Sequence, residues 1–530
     1  MQTIRYFRRC LQITCSYSKI SHYLSRSVTP VLSTHDGLLS KCKHRMYCDD
    51  NVHSSNKNLE DMFEFLKSVY TTKKHGILSI ESGCRIFCQT YRHMEDNDKI
   101  TLLCHIAENY GVNQDDIVNT VKQFIASKER GEVIMLRIEE RLRGALSAKY
   151  QILFSDIGRI EDGVKFLVDM RADILRLIGS TKDIERAYLM DLQYTLKDIL
   201  ALWFTVGFLN LERMTWQSSC DMLQKISEYE AVHPMRHWLD LKRRVGPYRR
   251  CFVFTHSSMP REPLVVLHCA LTNHISSSIH NIIGSRGYNS KSVDQDINID
   301  GPENRDNINT AIFYSVTSTQ KGLQGVDLGN YLIKRVASEL KNEWPQITQF
   351  SSLSPIPGFR DWLIKEINTC HAALKASSND ISQSKTSGCV STFLSYQEVE
   401  QLCNQANISS DSISGLQVFH NCVTHHTWVH NKSIMKILEA PLMRLCARYL
   451  YLEKRRGYAL NSVGNFHLQN GAVLWRINWM GDTSLRGLNN SCGLMVNYRY
   501  YLEDTISNSQ RYIEDKIIQA SDQVKQLCVL

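Results

Sequence analysis

The chain has 530 residues and only 10 prolines, and none of them falls between Asn58 and Leu202. Proline is the strongest helix breaker, so this long stretch is free to form uninterrupted helices. The 17 cysteines never occur as a CxxC pair and are scattered. That excludes a zinc ribbon and a small disulfide scaffold, and leaves most thiols as small buried hydrophobes of a reducing compartment. No apolar run reaches the length of about 18 residues that spans a bilayer. The longest candidate, Ile199 to Leu209, is short and reads as a buried helix. There is no Gly-Lys-Ser/Thr phosphate loop, no G-x-G-x-x-G and no G-x-S-x-G. Walker nucleotide binding, a Rossmann dinucleotide site and an α/β-hydrolase elbow are thereby excluded. The net charge of +8 comes without a basic stripe interleaved with aromatics, so nucleic acid is not an expected partner.

Acidic residues are missing from the first 35 positions, where Arg5, Arg8, Arg9, Lys19 and Arg26 sit among many serines and threonines. This composition predicts a mitochondrial targeting segment over 1–45 and a matrix location, with the cytoplasm as the alternative. The final Cys-Val-Leu is not the Ser-Lys-Leu address, which speaks against the peroxisome.

What is present divides by character. Between Asn58 and Leu202, apolar residues recur at three- and four-residue spacing in four segments, 58–70, 98–112, 117–128 and 163–179. Gly111 and Gly179 stand where helices can stop. Nothing chemical stands out there, and packing or self-association is the expected role. After about Asn210 the pattern turns to strands: 251–256 and 263–271 as a hairpin, 311–319, 346–353 and 471–480. Two polar stretches, 284–309 and 376–388, are expected as disordered loops. The segment 433–454 reads as a helix interrupted near Pro441.

Three local patterns carry chemistry. Phe350 to Phe359, FSSLSPIPGF, holds Ser354 directly before Pro355. The residue before a proline is pushed to extended backbone, so this hydroxyl is stiffly placed. Gly322, Gly325 and Gly329 follow the strand 311–319 and precede an apolar helical face. A glycine turn and a helix start together supply main-chain N–H donors suited to a pyrophosphate. His467 lies among Asn465, Gln469 and Asn470 just before a strand, where amides can fix its tautomer and its ordinary pKa suits proton transfer. Two further clusters compete. His420, Cys422, His425, His426 and His430 lack the carboxylate or second cysteine pair of a metal site, and no metal is expected. Lys242, Arg243, Arg244, Arg249 and Arg250, around Gly246–Pro247, can grip phosphate or can be a solvated basic turn.

The motifs EYEAVHPMRHWLDLKRRVGPYRRC, GLQGVDLGNYLIKRV, FSSLSPIPGF, NFHLQNGAVLWRINWM and SLRGLNNSCGLMVNYRYYLEDT together resemble the malonyl-CoA decarboxylase family from about residue 55 onward. The resemblance implies an α+β fold: an all-helical oligomerisation domain over 46–205, then a GNAT-like, acyl-CoA-binding catalytic domain with a mixed sheet over 206–530. It implies conversion of malonyl-CoA to acetyl-CoA and CO2, no cofactor, and a homotetramer. Carried over position by position, it names Ser354 and His467 as catalytic. Ser315, Asp327 and Tyr500 become supporting polar groups, with Asp327 and Tyr500 fixing the positions of these two. Gln324, Gly325, Val326, Asp327, Leu328, Gly329 and Asn330 become the CoA-contacting turn. Asp327 stands where the family usually has glutamate, and 284–309 is an expanded loop. An acyltransferase on the same fold and a non-enzymatic malonyl-CoA scaffold are the alternatives. Cys220, near the domain junction, is a candidate for subunit cross-linking, with burial the expectation.

Overall fold

The helical pattern of the first half is borne out in helices His53–Thr71, Ile77–Arg92, Asp96–Tyr110, Gln114–Ala126, Glu132–Ala145, Tyr150–Arg159, Gly163–Leu177 and Asp183–Trp203. The computed structural model describes residues 53–71, 77–127, 131–283, 303–326, 328, 332–377, 390–409 and 411–529. The segment 1–45, most of the two polar loops, and Asp327, Gly329 and Asn330 lie outside the described residues. All contacts discussed below fall within the unit 59–530.

The apolar periodicity explains how the helices pack. Asp96–Tyr110 turns Leu102, Leu103, Ile106 and Ala107 inward, and Tyr150–Arg159 turns Tyr150, Leu153, Phe154 and Ile157 to the same core. Each such buried side chain contributes on the order of 1.5–3 kcal/mol of apolar transfer. Asn113 caps its helix by accepting from the N–H groups of Asp115 and Asp116. The apolar run from Ile199 is not one buried helix. The helix stops at Trp203, a short turn follows, and Leu209 begins a strand, while Leu202 and Phe208 are exposed.

The second half is a mixed sheet. Its strands are β1 (Leu209–Met214), β2 (Arg249–His256), β3 (Val265–Thr272), β4 (Thr310–Ser318), β5 (Gln349–Ser352) and β6 (Ser354–Pro355), with a separate small hairpin of β7 (Lys454–Arg455) and β8 (Tyr458–Ala459). The sheet is completed by β9 (Val473–Asn478) and β10 (Met495–Tyr500). The order is β1-β2-β3-β4-β5-β10-β6, with β9 on the other edge of β10. Among the described strands only β4 and β5 run parallel, joined by the crossover helix Leu332–Glu343. The fold is therefore α+β.

Several expectations are corrected here. The loop over 284–309 is ordered at its end, because Glu303 accepts from the buried guanidinium of Arg250 at 2.7 and 3.1 Å. Arg250 is shared with Glu343 at 2.7 Å, so this part of the basic motif is an ion-pair core rather than a solvated turn. The helix Phe359–Ser377 takes in the first residues of the second loop. The helix Lys432–Ala447 continues through Pro441 and loosens only in the wide turn Arg448–Leu452. Cys220 is exposed, at the start of the helix Cys220–Tyr229.

Candidate active site

The sheet opens where β4 and β5 part. Pairing runs from Thr310–Gln349 to Phe313–Ser352, and the N–H of Leu353 still reaches the carbonyl of Phe313 at 3.0 Å. Then the chain turns away, and Ser354 and Pro355 pair with Val496 and Met495 of β10. The far half of β4 and the start of β6 become facing walls of a cavity of about 830 Å³. Ser315, Ser354 and His467 line it, as do Gln324, Gly325, Val326 and Leu328 of the glycine turn.

Ser354 sits on a braced loop. The Pro357 carbonyl accepts from Tyr449 Oη at 3.1 Å and from Asn461 Nδ2 at 2.9 Å, and Gly358 supplies the positive φ, +79°, that ends the run. His467 lies on the helix Ser462–Gln469, whose first turn is capped by Asn461 Oδ1 at 2.7 Å from the Gly464 N–H. Only glycine fits at 464, since a Cβ there meets Tyr498 Oη at 2.8 Å.

These elements bring together two side chains 113 positions apart: Ser354 Oγ and His467 Nε2 are 2.8 Å apart. Ser354 Oγ also lies 2.9 Å from Ser352 Oγ, and His467 Nδ1 lies 2.6 Å from Tyr500 Oη. The imidazole stacks on Tyr498 with 4.6 Å between ring centres. It is the Tyr500 hydroxyl that orients the ring. The neighbouring amides are engaged elsewhere, Asn465 with Tyr512 and Asn470 with the Phe466 carbonyl. Burial pushes the imidazole pKa down to about 3, so it is neutral at pH 7, and the ordinary histidine value does not apply. Burial likewise holds the Tyr500 phenol well above its usual range.

Ser315 is in the cavity but not on this line. The register of β3 and β4 shifts between His268 and Cys269: Ser315 pairs with His268 and Phe313 with Cys269, leaving Tyr314 as an extra residue. The bulge turns Ser315 toward Glu230, whose oxygens accept from its hydroxyl at 2.8 and 3.0 Å. Glu230 also accepts from the N–H groups of Val232 and His233 at 2.8 and 2.9 Å, and Arg244 is 3.8 Å away. Its carboxyl is held below the ordinary range despite the cost of burial, and burial keeps the adjacent His268 neutral with a pKa of about 4.

The glycine turn is fixed from the helical region. Arg171 of the helix Gly163–Leu177 donates to the carbonyls of Gly322 and Gln324, the latter at 2.9 Å. A Cβ on Gly322 would collide with the Val168 carbonyl, so this glycine serves close packing. Glu230, His268 and Arg171 carry no motif that singles them out in the sequence. His268 does leave a trace there, one polar residue inside the apolar run VVLHCAL.

Among the described residues, no group of three His, Cys, Asp or Glu side chains is placed to hold a metal, and no helix is long and apolar enough to cross a membrane. His426 bonds Asn489 at 2.7 Å.

Comparison with known proteins agrees with this architecture. Family models for the malonyl-CoA decarboxylase N-terminal and C-terminal domains match residues 110–204 and 207–529. The mitochondrial malonyl-CoA decarboxylase of Anser anser anser is 45% identical over 458 residues, 86% of this chain and 85% of that protein. The mouse mitochondrial enzyme is 45% identical over 450 residues, 84% of this chain and 85% of that one. The crystal structure of malonyl-CoA decarboxylase from Rhodopseudomonas palustris superimposes with a TM-score of 0.69 at 27% identity, covering 89% of this chain and 99% of that chain. The Agrobacterium vitis structure gives 0.67 at 26%, covering 89% and 99%. The chain belongs to the malonyl-CoA decarboxylase family.

Proposed function

We propose that this chain decarboxylates malonyl-CoA, with Ser354, His467 and Tyr500 as its proton line. The observation that carries the reading is the buried sequence of hydrogen bonds from Tyr500 through His467 to Ser354, which ends in a cavity large enough for an acyl-thioester arm. Loss of CO2 from the malonyl group leaves an electron pair on C2, delocalised into the thioester oxygen. The thioester is its own electron sink. The protein must hold the handle, turn the carboxylate out of the enolate plane and return one proton to C2.

The glycine turn, Gln324 to Asn330, takes the CoA handle. Ser354 orients the malonyl group and stands between His467 Nε2 and C2. A proton moves from Nε2 through Ser354 Oγ to C2 while Tyr500 refills Nδ1, and solvent restores the line. The low pKa of His467 belongs to the protein alone. A malonyl carboxylate, and then an enolate, in the same low-dielectric space raises the proton affinity of the ring as the reaction proceeds. Asp327 is assigned a supporting role beside the turn, and Ser315 marks the opposite wall.

The test is direct. Purified protein given malonyl-CoA alone should release equal amounts of CO2 and acetyl-CoA. Release of free CoA only when an amine is supplied would replace the decarboxylase with an acyltransferase. Tight binding without product would leave a scaffold. The names of the relatives support a mitochondrial location, and we assign the matrix, to be checked by sequencing the mature N-terminus. Assembly as a homotetramer through the helical region predicts four chains by light scattering.

A further inference from the structure

On the other face of the sheet lies a second cavity, of about 840 Å³, sharing only Val232 and Tyr314 with the reaction cavity. Five guanidiniums line it: Arg236, Arg243, Arg244, Arg249 and Arg486. Three of these come from the basic motif that the proton line leaves unused. The bonding of these groups matters more than their number. Arg249 is buried and donates to the carbonyls of Tyr248, at 2.8 Å, and Ile282. Arg244 is buried and donates to the His233 carbonyl at 2.6 Å. Arg486 donates to the carbonyls of Ala231 and Val232. Neutral carbonyls orient a guanidinium without cancelling its charge. Arg244 also faces a carboxylate of the network described above, Glu230 at 3.8 Å.

Among the described residues, the cavity's own carboxylates do not balance Arg236, Arg249 and Arg486. Asp240 accepts from the main-chain N–H of Arg236, and Asp482 from that of Ser484. Among the described residues, several buried polar atoms at this wall also lack a hydrogen-bond partner, among them His233 Nε2 and Tyr314 Oη, on residues 8% and 1% exposed. Unpartnered buried polar groups are costly, and their recurrence around one basic cavity indicates a ligand that supplies acceptors. The volume exceeds what one inorganic anion fills.

We infer that the second cavity binds a small phosphate-bearing molecule, independently of the thioester. Planar guanidinium forks suit phosphate oxygens, and several braced forks suit a polyanion better than a single carboxylate. The test is calorimetric titration of the intact enzyme with inorganic phosphate at constant ionic strength, with CoA saturating so that the reaction cavity is filled. Saturable binding is expected, weakened at least tenfold by Arg236→Glu and by Arg486→Glu. If Arg486→Glu fails to fold, Arg236→Glu, on the exposed rim, decides alone. A parallel titration with ADP separates sources. ADP at least tenfold tighter than phosphate assigns the remaining volume to a nucleoside, and equal affinity assigns the site to the phosphate group itself. No saturable heat, unchanged affinity in the charge-reversed enzyme, or a signal abolished by CoA would overturn the assignment.

Discussion

The two walls of the reaction cavity are built from opposite kinds of polar chemistry. On one wall, Tyr500, His467, Ser354 and Ser352 form a line without an ion. Every member is both donor and acceptor, because a phenol, a neutral imidazole and two hydroxyls each can play either role. Protons can shift along such a line in either direction without leaving a charge stranded between its ends. On the other wall, Ser315 is held by the Glu230 carboxylate, with Arg244 behind it. A carboxylate only accepts and a guanidinium only donates, so each bond there has one polarity. On the proposed mechanism the first wall moves a proton and the second keeps its shape.

The largest effect that tests this contrast is catalytic. Ser354→Ala and His467→Ala should each lower kcat by about 10²–10⁴-fold, the usual worth of a positioned proton-transfer group. The double variant should lose little more than either single one, because residues that act as a unit do not add. CO2 release within threefold of wild type from either variant would remove the mobile wall from the mechanism. The fixed wall breaks differently. Glu230→Gln strips the carboxylate from Arg244 and from two main-chain donors, and removing one partner of a buried pair costs about 3–5 kcal/mol. Urea unfolding should show that loss. A cost under about 1 kcal/mol would mean that the second wall is no ionic anchor.

The same contrast explains what the sequence discloses. Ser354 stood out because Pro355 restricts the backbone before it, and the strand, glycine turn and helix that follow β4 announced themselves by local periodicity. Local rules of that kind reach a few residues. The contacts that build the walls are distant: Glu230 meets Ser315 across 85 positions, and Arg171 meets Gly322 across 151. The bulge that aims Ser315 has no composition of its own, since it is a slip in pairing between two apolar strands. β10, which carries Tyr500, has no clear strand signal in the sequence, and neither has β1. The ordinary pKa expected of His467 fails because burial, the cause of its shift, is a property of the packed fold.

Acid tests the burial of the mobile wall next. The folded pKa of His467 is about 3, against about 6.5 for an unperturbed histidine, so the unfolded chain binds a proton there that the folded chain refuses. That stability is present above pH 6.5 and is lost as pH falls toward 3, by roughly 2 kcal/mol at pH 5. Unfolding free energies from urea titrations at pH 7 and 5 should differ by that much less in His467→Asn than in wild type. Equal pH dependence in the two proteins would mean that the ring is solvated and the mobile wall wet.

The smallest effect concerns neither wall but the turn beside them. Arg171 is buried, and its guanidinium is anchored by the Gln193 carbonyl at 3.3 Å while it reaches the Gln324 carbonyl at 2.9 Å. It touches no member of the proposed proton line, so on the proposed reading it is a positioning residue that holds the turn proposed to take the CoA handle. Arg171→Leu should therefore raise KM for malonyl-CoA about tenfold, near 1.4 kcal/mol, with kcat within threefold. Arg171→Lys should recover little of that, because a single ammonium cannot span Gly322, Gln324 and Gln193 together. If kcat falls instead and KM holds, the helical region acts on the acyl end, and the division of labour between a fixed frame and a mobile proton line fails.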